Sequence, residues 1–229
     1  GVKKCTIIGG EPTLHKKYNH VIELATKKMS SCTLVTNGRA LSGGIPDSWK
    51  NNKRLHVVVS LHGANEIHYT RNTGSHGGFK QAIAAISRLV SGDINHSVNV
   101  VLGKENLPVV DEFVAVVAER KAAMLCFTVA ISSMDTNYST VHLEIAKRVR
   151  TIHEKCESVG QRHVFIFSLP WCLLEEELLN ELISQKSLMF NCPVDGGKGI
   201  VVKENGALTV CPPLSNYEIL SPHETRRVL

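Results

Sequence analysis

The chain has 229 residues, of which 43% are hydrophobic and 21% charged, and these proportions indicate a soluble globular protein with one large domain or one domain plus a small appendage. Its 26 basic and 21 acidic residues leave a formal charge of +5, and because the basic residues are scattered, this charge does not favour a nucleic-acid-binding surface. No apolar run is long enough to span a membrane, and no secretory signal is visible in the sequence.

Strand and helix patterns alternate along the first two thirds of the chain. We predict strands at Lys4–Ile8, Cys32–Val35, Leu55–Leu61, Ser97–Leu102 and Ala123–Ile131, and helices at Tyr18–Met29, Phe79–Leu89, Val109–Arg120 and Val141–Val159. The polar, glycine-rich segment 70–78 is predicted to be a loop. Because the strands read as continuous apolar runs, we expect a parallel sheet buried on both faces, in an α/β barrel or a doubly wound fold.

The pattern changes near His163. A strand at His163–Leu169 and an acidic helix at Leu173–Gln185 precede two short strands that Asn205-Gly206 would join as a hairpin. We therefore predict two domains, residues 1–162 and residues 163–229.

Seven cysteines are spread along the chain without a CxxC pair. An odd number of cysteines in a chain of this size argues against a disulfide framework and for a reducing compartment, so we predict a cytoplasmic protein. Cys5, Cys32, Cys126 and Cys156 fall within strand or helix patterns, where we expect them to pack as small hydrophobic side chains.

A stiff corner follows the first predicted strand, with the sequence Gly9-Gly10-Glu11-Pro12. The two glycines permit a positive φ or a close approach of the backbone to a ligand, and Pro12 favours the first turn of a helix. Glu11 is thereby held at the carboxyl end of a strand, where α/β folds place their ligands.

Four motifs in order carry a resemblance to a known family. They are GGEPTL, TNG and SLHG, each after a strand, and then HYTRNTG before a helix. Together they resemble the radical S-adenosylmethionine (SAM) superfamily. The resemblance implies an α/β fold, a partial (β/α)6 barrel with SAM in its mouth. In that family a [4Fe–4S] cluster, reduced by a donor such as flavodoxin or ferredoxin, cleaves SAM to a 5′-deoxyadenosyl radical that takes hydrogen from the substrate.

The same resemblance implies roles for individual residues. Gly9, Gly10, Glu11 and Pro12 would hold the methionine ammonium group of SAM. Asn37 and Ser60 would reach the ribose or the methionyl end, and Arg71 would pair with the methionine carboxylate, since a guanidinium matches a carboxylate in bidentate geometry. Asn99 and Ile131, on the later strands, would contact the ribose and the adenine. The motifs name no catalytic residue.

One part of the family pattern is missing, the CxxxCxxC loop that holds the cluster after the first barrel strand. The chain begins at Gly1, just before what would be the second strand. Three explanations remain open: the sequence is a piece of a longer protein, another chain supplies the first strand, or the protein is a degenerate member without radical chemistry. We expect the first, because the motifs on the SAM side are intact.

The cysteines near the carboxyl terminus resemble a SPASM or twitch extension, in which cysteines ligate an auxiliary Fe–S cluster. The candidate ligands are Cys172, Cys192 and Cys211, in the contexts PWC, NCP and NGALTVCP. Because a cubane cluster usually takes four thiolates, a fourth ligand would lie downstream, come from substrate or be absent.

The subfamily resemblance implies modification of a ribosomally made peptide or of a protein: a crosslink, an epimerisation or an oxidation. Two alternatives stay open. One is a small-molecule or cofactor-biosynthesis reaction on the same scaffold, and the other is a SAM-fold scaffold without radical chemistry.

Overall fold

The computed structural model describes residues 2–129, 138–167, 169–189, 200–209, 219–221 and 223–224. The chain forms two compact units. The first contains Gly1–Ala130 and Asn137–Met189, and the second contains Ile131–Thr136 and Phe190–Leu229.

A seven-stranded sheet forms the centre of the first unit. Its strands are β1 (Lys4–Ile7), β2 (Ser31–Thr36), β3 (Leu55–Ser60), β4 (His96–Leu102), β5 (Leu125–Val129), β6 (His163–Ile166) and β7 (Leu188–Met189). They lie in sequence order and every neighbouring pair is parallel. The carboxyl ends of all seven strands therefore lie at one edge of the sheet, and the loops that follow them share that edge.

In the part of the chain that the structure describes, six helices connect the strands. They are α1 (Tyr18–Lys28), α2 (Glu66–Thr73), α3 (Gly78–Ser91), α4 (Val110–Glu119), α5 (Tyr138–Ser158) and α6 (Glu176–Ser184). Short 3₁₀ turns lie at Pro12–Leu14, Arg39–Ser42, Asp47–Trp49, Leu107–Val109 and Trp171–Leu173. The predicted α/β class with a parallel sheet is thus confirmed.

The two faces of the sheet are buried to different extents. In β3, Leu55, Val57 and Val59 are fully buried, whereas the alternate residues on the other face are half-buried. β2 shows the same alternation. The expectation that these strands are buried on both faces is therefore only partly met, because only the first face packs in the hydrophobic core and the residues of the second are half-buried.

The predicted loop over residues 70–78 is partly helical, because α2 extends to Thr73. Asn65 caps the start of α2 by accepting a hydrogen bond from the His68 amide, and Gly74 ends it in the left-handed conformation with φ +70°. The buried side chain of Tyr69 anchors the helix to the core. The prediction failed here because cap residues and one buried aromatic define this short helix, and no long apolar stripe marks it.

The predicted domain boundary between residues 162 and 163 falls between α5 and β6. β6 pairs with β5, and Phe165 stacks on Phe127 with the ring centroids 5.3 Å apart. The barrel sheet therefore continues through β6 and β7 to Met189. The first strands of the extension predicted from residue 163 are thus part of this sheet. The function predicted for the extension stays a prediction.

The second unit contains the predicted hairpin, β8 (Val201–Val202) paired antiparallel with β9 (Leu208–Thr209). Asn205 Oδ1 accepts a hydrogen bond from the Ala207 amide within the turn, and Leu208 bridges to Leu220. Among the described residues, no helix is long and apolar enough to cross a membrane.

His96, at the start of β4, gives the fold a pH dependence. The ring is buried, Nδ1–H donates to the Ile94 carbonyl at 2.7 Å, and Nε2 accepts from the Ala123 amide at 3.2 Å. Burial lowers the pKa of His96 below its ordinary value; the Ile94 carbonyl opposes this shift and the neighbouring His56 adds to it. Only the neutral ring satisfies both contacts.

We expect the free energy of unfolding to decrease as the pH falls through about 6.5, because the unfolded chain then binds a proton that folded His96 does not. Chemical denaturation at pH 7.5 and at pH 5.5 measures the difference. His96→Gln should lower stability at pH 7.5 and make the pH dependence shallower, while His76→Gln, at an exposed position, should leave it unchanged. An unchanged pH dependence in His96→Gln would contradict this assignment.

Candidate functional site

The loop after β1 is an exposed corner built on two glycines. Gly9 has φ +105° and Gly10 has φ +51°, and no atom lies within 4 Å of the position that a Cβ would take at either residue. Among the described residues, no loop N–H group and no side-chain donor forms a hydrogen bond with the carbonyl oxygen of Gly9 or Gly10. Pro12 then opens the 3₁₀ turn that ends the corner, as predicted. The corner can therefore offer free carbonyl acceptors to a cationic group.

The Glu11 carboxylate ties this corner to the end of β2. Its Oε1 accepts hydrogen bonds from the amide and hydroxyl of Thr13, at 3.1 and 2.5 Å, and from the Thr36 hydroxyl at 2.6 Å. Its Oε2 accepts from the Asn37 amide at 2.7 Å. The sequence placed Glu11 at this edge but gave no indication of these partners.

The turn after β2 is fixed by its glycine. Gly38 has φ +76°, and a Cβ there would lie 3.1 Å from Val59 and from Ala85. Thr36 Oγ1 accepts from the Gly38 amide at 3.0 Å, and Asn37 Oδ1 accepts from the Arg39 amide at 2.9 Å. The Asn37 Nδ2 group therefore remains available to donate to a ligand, while Oδ1 already accepts one hydrogen bond.

Ser60 and Asn99 lie side by side on the open face of the sheet. They are register partners in β3 and β4, and both are half-buried. Asn99 Nδ2 donates to Thr128 Oγ1 on β5 at 3.2 Å, which leaves Asn99 Oδ1 for another donor. The structure thus brings these two predicted residues together, whereas Ile131 lies outside the described residues.

Arg71 lies on α2 beside two adjoining cavities of about 630 and 320 Å³. The larger is lined by His62, Arg71, Asn72, Val101, Gly103, Lys104, Glu105 and Asn106. No described residue forms a hydrogen bond or ion pair with the exposed Arg71 guanidinium. It is therefore free to pair with an anionic group, and Lys104 brings a second cation to the same cavities.

Asn72 links the loops on either side of the larger cavity. Its Nδ2 lies 2.8 Å from the His62 carbonyl oxygen, 3.1 Å from His68 Nε2 and 3.0 Å from Asn106 Oδ1. Asn106 in turn donates to the Val101 carbonyl at 2.7 Å. The loops after β3 and β4 are thus held together next to Arg71.

The electrostatic setting of the edge favours a cationic ligand near Glu11. Burial lowers the pKa of His62, which follows β3, while the nearby Glu11 carboxylate opposes this shift. The lowered pKa keeps His62 neutral near pH 7, so this half-buried ring does not neutralise the Glu11 charge.

A family model for the radical SAM superfamily matches residues 1–115, which is half of the chain. The chain belongs to the radical SAM superfamily. The matched residues include the loops after β1, β2, β3 and β4 that are described above. No curated protein matches this radical SAM chain in sequence.

The fold of this radical SAM chain is similar to the folds of several solved structures. SuiB from Streptococcus suis matches with a TM-score of 0.71 and 15% identity, over 95% of this chain and 52% of that one. The structure titled native anSMEcpe with bound AdoMet (SAM) and Kp18Cys peptide matches with a TM-score of 0.68 and 16% identity, over 96% of this chain and 64% of that one. The chain thus spans 52% to 64% of the length of these two matches. At such low identity, the likeness establishes the fold, an open half-barrel of parallel strands.

The cysteines in the part of the chain that the structure describes do not form the cluster site that the radical SAM family implies. Among the described residues, Cys5, Cys32, Cys126, Cys156 and Cys172 are free thiols, and no three of them gather at one point. Burial raises the pKa of Cys32 and of Cys156 to about 12, so both stay protonated and poorly suited as ligands. Cys32 is also the register partner of Cys5 on β1.

Of the three predicted auxiliary ligands, only Cys172 can be placed. It is exposed in the turn Trp171–Leu173. Cys192 and Cys211 lie outside the described residues, so the auxiliary Fe–S cluster and the SPASM or twitch extension remain predictions.

Sequence reasoning missed several residues of this edge. They are Thr13, Thr36, Asn72 and Lys104. Asn72 lies inside the motif HYTRNTG, so its position was a usable signal. Thr36 precedes the TNG glycine, but nothing in the sequence pairs it with Glu11, 25 residues away.

Proposed function

We propose that the protein is a radical SAM enzyme that binds SAM at the carboxyl edge of β1–β4 and acts on a ribosomally made peptide or on a protein. The observation that carries the proposal is the convergence of unsatisfied groups at one edge in a chain of this family. The edge offers the Gly9 and Gly10 carbonyl oxygens, Asn37 Nδ2 and the Arg71 guanidinium.

The charges of these groups match those of SAM. The ammonium group of SAM would bind the carbonyl oxygens of the corner, near the negative charge of Glu11. Its carboxylate would pair with Arg71, and Ser60 with Asn99 would hydrogen-bond the ribose hydroxyls. When bound and reduced by one electron, SAM supplies a 5′-deoxyadenosyl radical that takes a hydrogen atom from the substrate.

The chain's own part in such a reaction is to orient SAM and to limit water around it. Val98 and Val100, on either side of Asn99 in β4, are fully buried on the opposite, core face of the sheet, so that face holds the strand that carries Asn99 in place. The described cysteines do not fit a [4Fe–4S] cluster. We therefore assign no residue of this chain to electron transfer, for which a protein such as flavodoxin or ferredoxin would be the donor.

The substrate class is supported by the relatives in fold. One solved structure is titled SuiB bound to precursor peptide SuiA and matches with a TM-score of 0.62, over 91% of this chain and 48% of that one. The anSMEcpe structure also contains a peptide by its title. Two neighbours with peptides in place favour a peptide over a small-molecule substrate for this chain.

The test uses the full-length protein, purified anaerobically and reduced with dithionite in the presence of SAM. We expect 5′-deoxyadenosine to form, as measured by liquid chromatography and mass spectrometry. A short peptide encoded beside the gene for this protein should increase the rate at which 5′-deoxyadenosine forms. The mass of that peptide should change in the reaction. If 5′-deoxyadenosine forms and no peptide is modified, the peptide assignment is wrong; if SAM stays intact, the enzyme assignment is wrong.

A further inference from the structure

We infer that Glu11 is a positioning residue, which sets the geometry of the SAM-binding loops through its hydrogen bond with Thr36 rather than by binding SAM with its carboxylate. This inference rests on the proposed function. It assigns to Thr36 a role that none of the motifs indicates.

The protein already uses most of the acceptor capacity of the Glu11 carboxylate. A carboxylate offers about four lone-pair sites; Glu11 Oε1 accepts three hydrogen bonds from Thr13 and Thr36, and Oε2 accepts one from Asn37. Three of these are 2.5 to 2.7 Å long, the range of strong hydrogen bonds to a charged acceptor. A ligand ammonium group would find one lone pair left at Oε2 and would compete with these donors elsewhere, whereas among the described residues no loop or side-chain donor binds the carbonyl oxygens of Gly9 and Gly10.

The contacts of Thr36 show how the position of Glu11 reaches the ligand groups. Thr36 is almost fully buried, and its hydroxyl donates to Glu11 while it accepts from the Gly38 amide. The adjoining Asn37 amide donates to the other carboxylate oxygen. Glu11 therefore holds the glycine corner at a fixed distance from Asn37, whose Nδ2 group forms no hydrogen bond with the described residues. Loss of the Thr36 contact would let the two loops shift against each other.

Thr36→Val tests this role, because valine keeps the shape of threonine and leaves every proposed SAM ligand and the Glu11 charge in place. We expect Thr36→Val to bind SAM about tenfold more weakly, or about 1.4 kcal/mol, and Thr36→Ser to bind almost as wild type. Calorimetric titration of SAM into the anaerobic full-length protein gives the affinity per folded molecule. The matched control is Thr26→Val, which removes a buried hydroxyl on α1 that donates to Glu23 and accepts from Asn52.

The combination with Glu11→Gln separates positioning from direct binding. Glutamine keeps one oxygen acceptor but turns an N–H toward the Asn37 amide, so it breaks the same link between the loops. We expect the double variant Glu11→Gln/Thr36→Val to bind SAM no more weakly than Glu11→Gln alone. Wild-type affinity in Thr36→Val, or losses that multiply in the double variant, would overturn the positioning role and leave the proposed function intact. Failure of the wild-type protein to bind SAM would overturn both.

Discussion

Gly63→Ala is expected to destabilise the first unit by about 3 kcal/mol or more, because there is no space for a methyl group at this position. Gly63 is buried between β3 and α2. A Cβ at Gly63 would overlap the backbone nitrogen and Cα of Tyr69 and lie 2.7 Å from the Tyr69 Cβ. Backbone atoms cannot move aside as the end of a flexible side chain can, so α2 would have to shift away from the sheet.

Thermal unfolding measures this effect, and a loss of this size lowers Tm by about 10 °C in a domain of this length. The matched control is Gly43→Ala, at a residue with φ −81° and with no atom within 4 Å of the new Cβ. This control should unfold at the wild-type temperature or slightly above it. A Tm of Gly63→Ala equal to that of Gly43→Ala would show that α2 does not pack on the β3 loop as described.

Arg71→Ala is expected to weaken SAM binding by about 10- to 100-fold without lowering Tm, because a bidentate, charge-assisted pair would be lost. The folded state loses nothing, since the exposed guanidinium has no bonding partner among the described residues. Arg71→Lys should give an intermediate affinity, because an ammonium keeps the charge but not the planar pair of donors.

The control for this variant is Arg162→Ala, which removes an equally exposed cation at the amino end of β6. Equilibrium titration of SAM into the full-length protein and both variants gives the comparison. The pairing with the carboxylate would be refuted by an Arg71→Ala protein whose affinity equals that of Arg162→Ala.

The sequence predicted those residues of this edge whose role depends on a local backbone conformation, such as a positive φ. Gly9, Gly10 and Gly38 have positive φ, a requirement that glycine in a strand-end motif already indicates. The apolar strands predicted the parallel sheet, and the strand order and register that the structure adds place Ser60 beside Asn99. The ordered motifs thus predicted which loops meet.

The sequence was less informative where distant side chains determine the geometry. The hydrogen bond between Glu11 and Thr36 joins positions 25 residues apart, and local patterns do not specify such a pair. The sequence predicts the strand that forms β6 but not its place in this sheet, and β7 has two residues, too few to show a period, so the pattern predicts a separate domain from His163. The short helix α2 was read as a loop, because its stability comes from Asn65, Gly74 and the buried Tyr69.

The most direct test of the central claim is a structure of the full-length protein crystallised anaerobically with SAM. The account predicts that the methionine ammonium lies on the Gly9 and Gly10 carbonyl oxygens, with the carboxylate at Arg71 and the ribose beside Ser60 and Asn99. Glu11 should keep its hydrogen bonds to Thr36 and Asn37 in that complex. SAM bound away from the carboxyl edge of β1–β4, or no bound SAM at saturating concentration, would contradict the account.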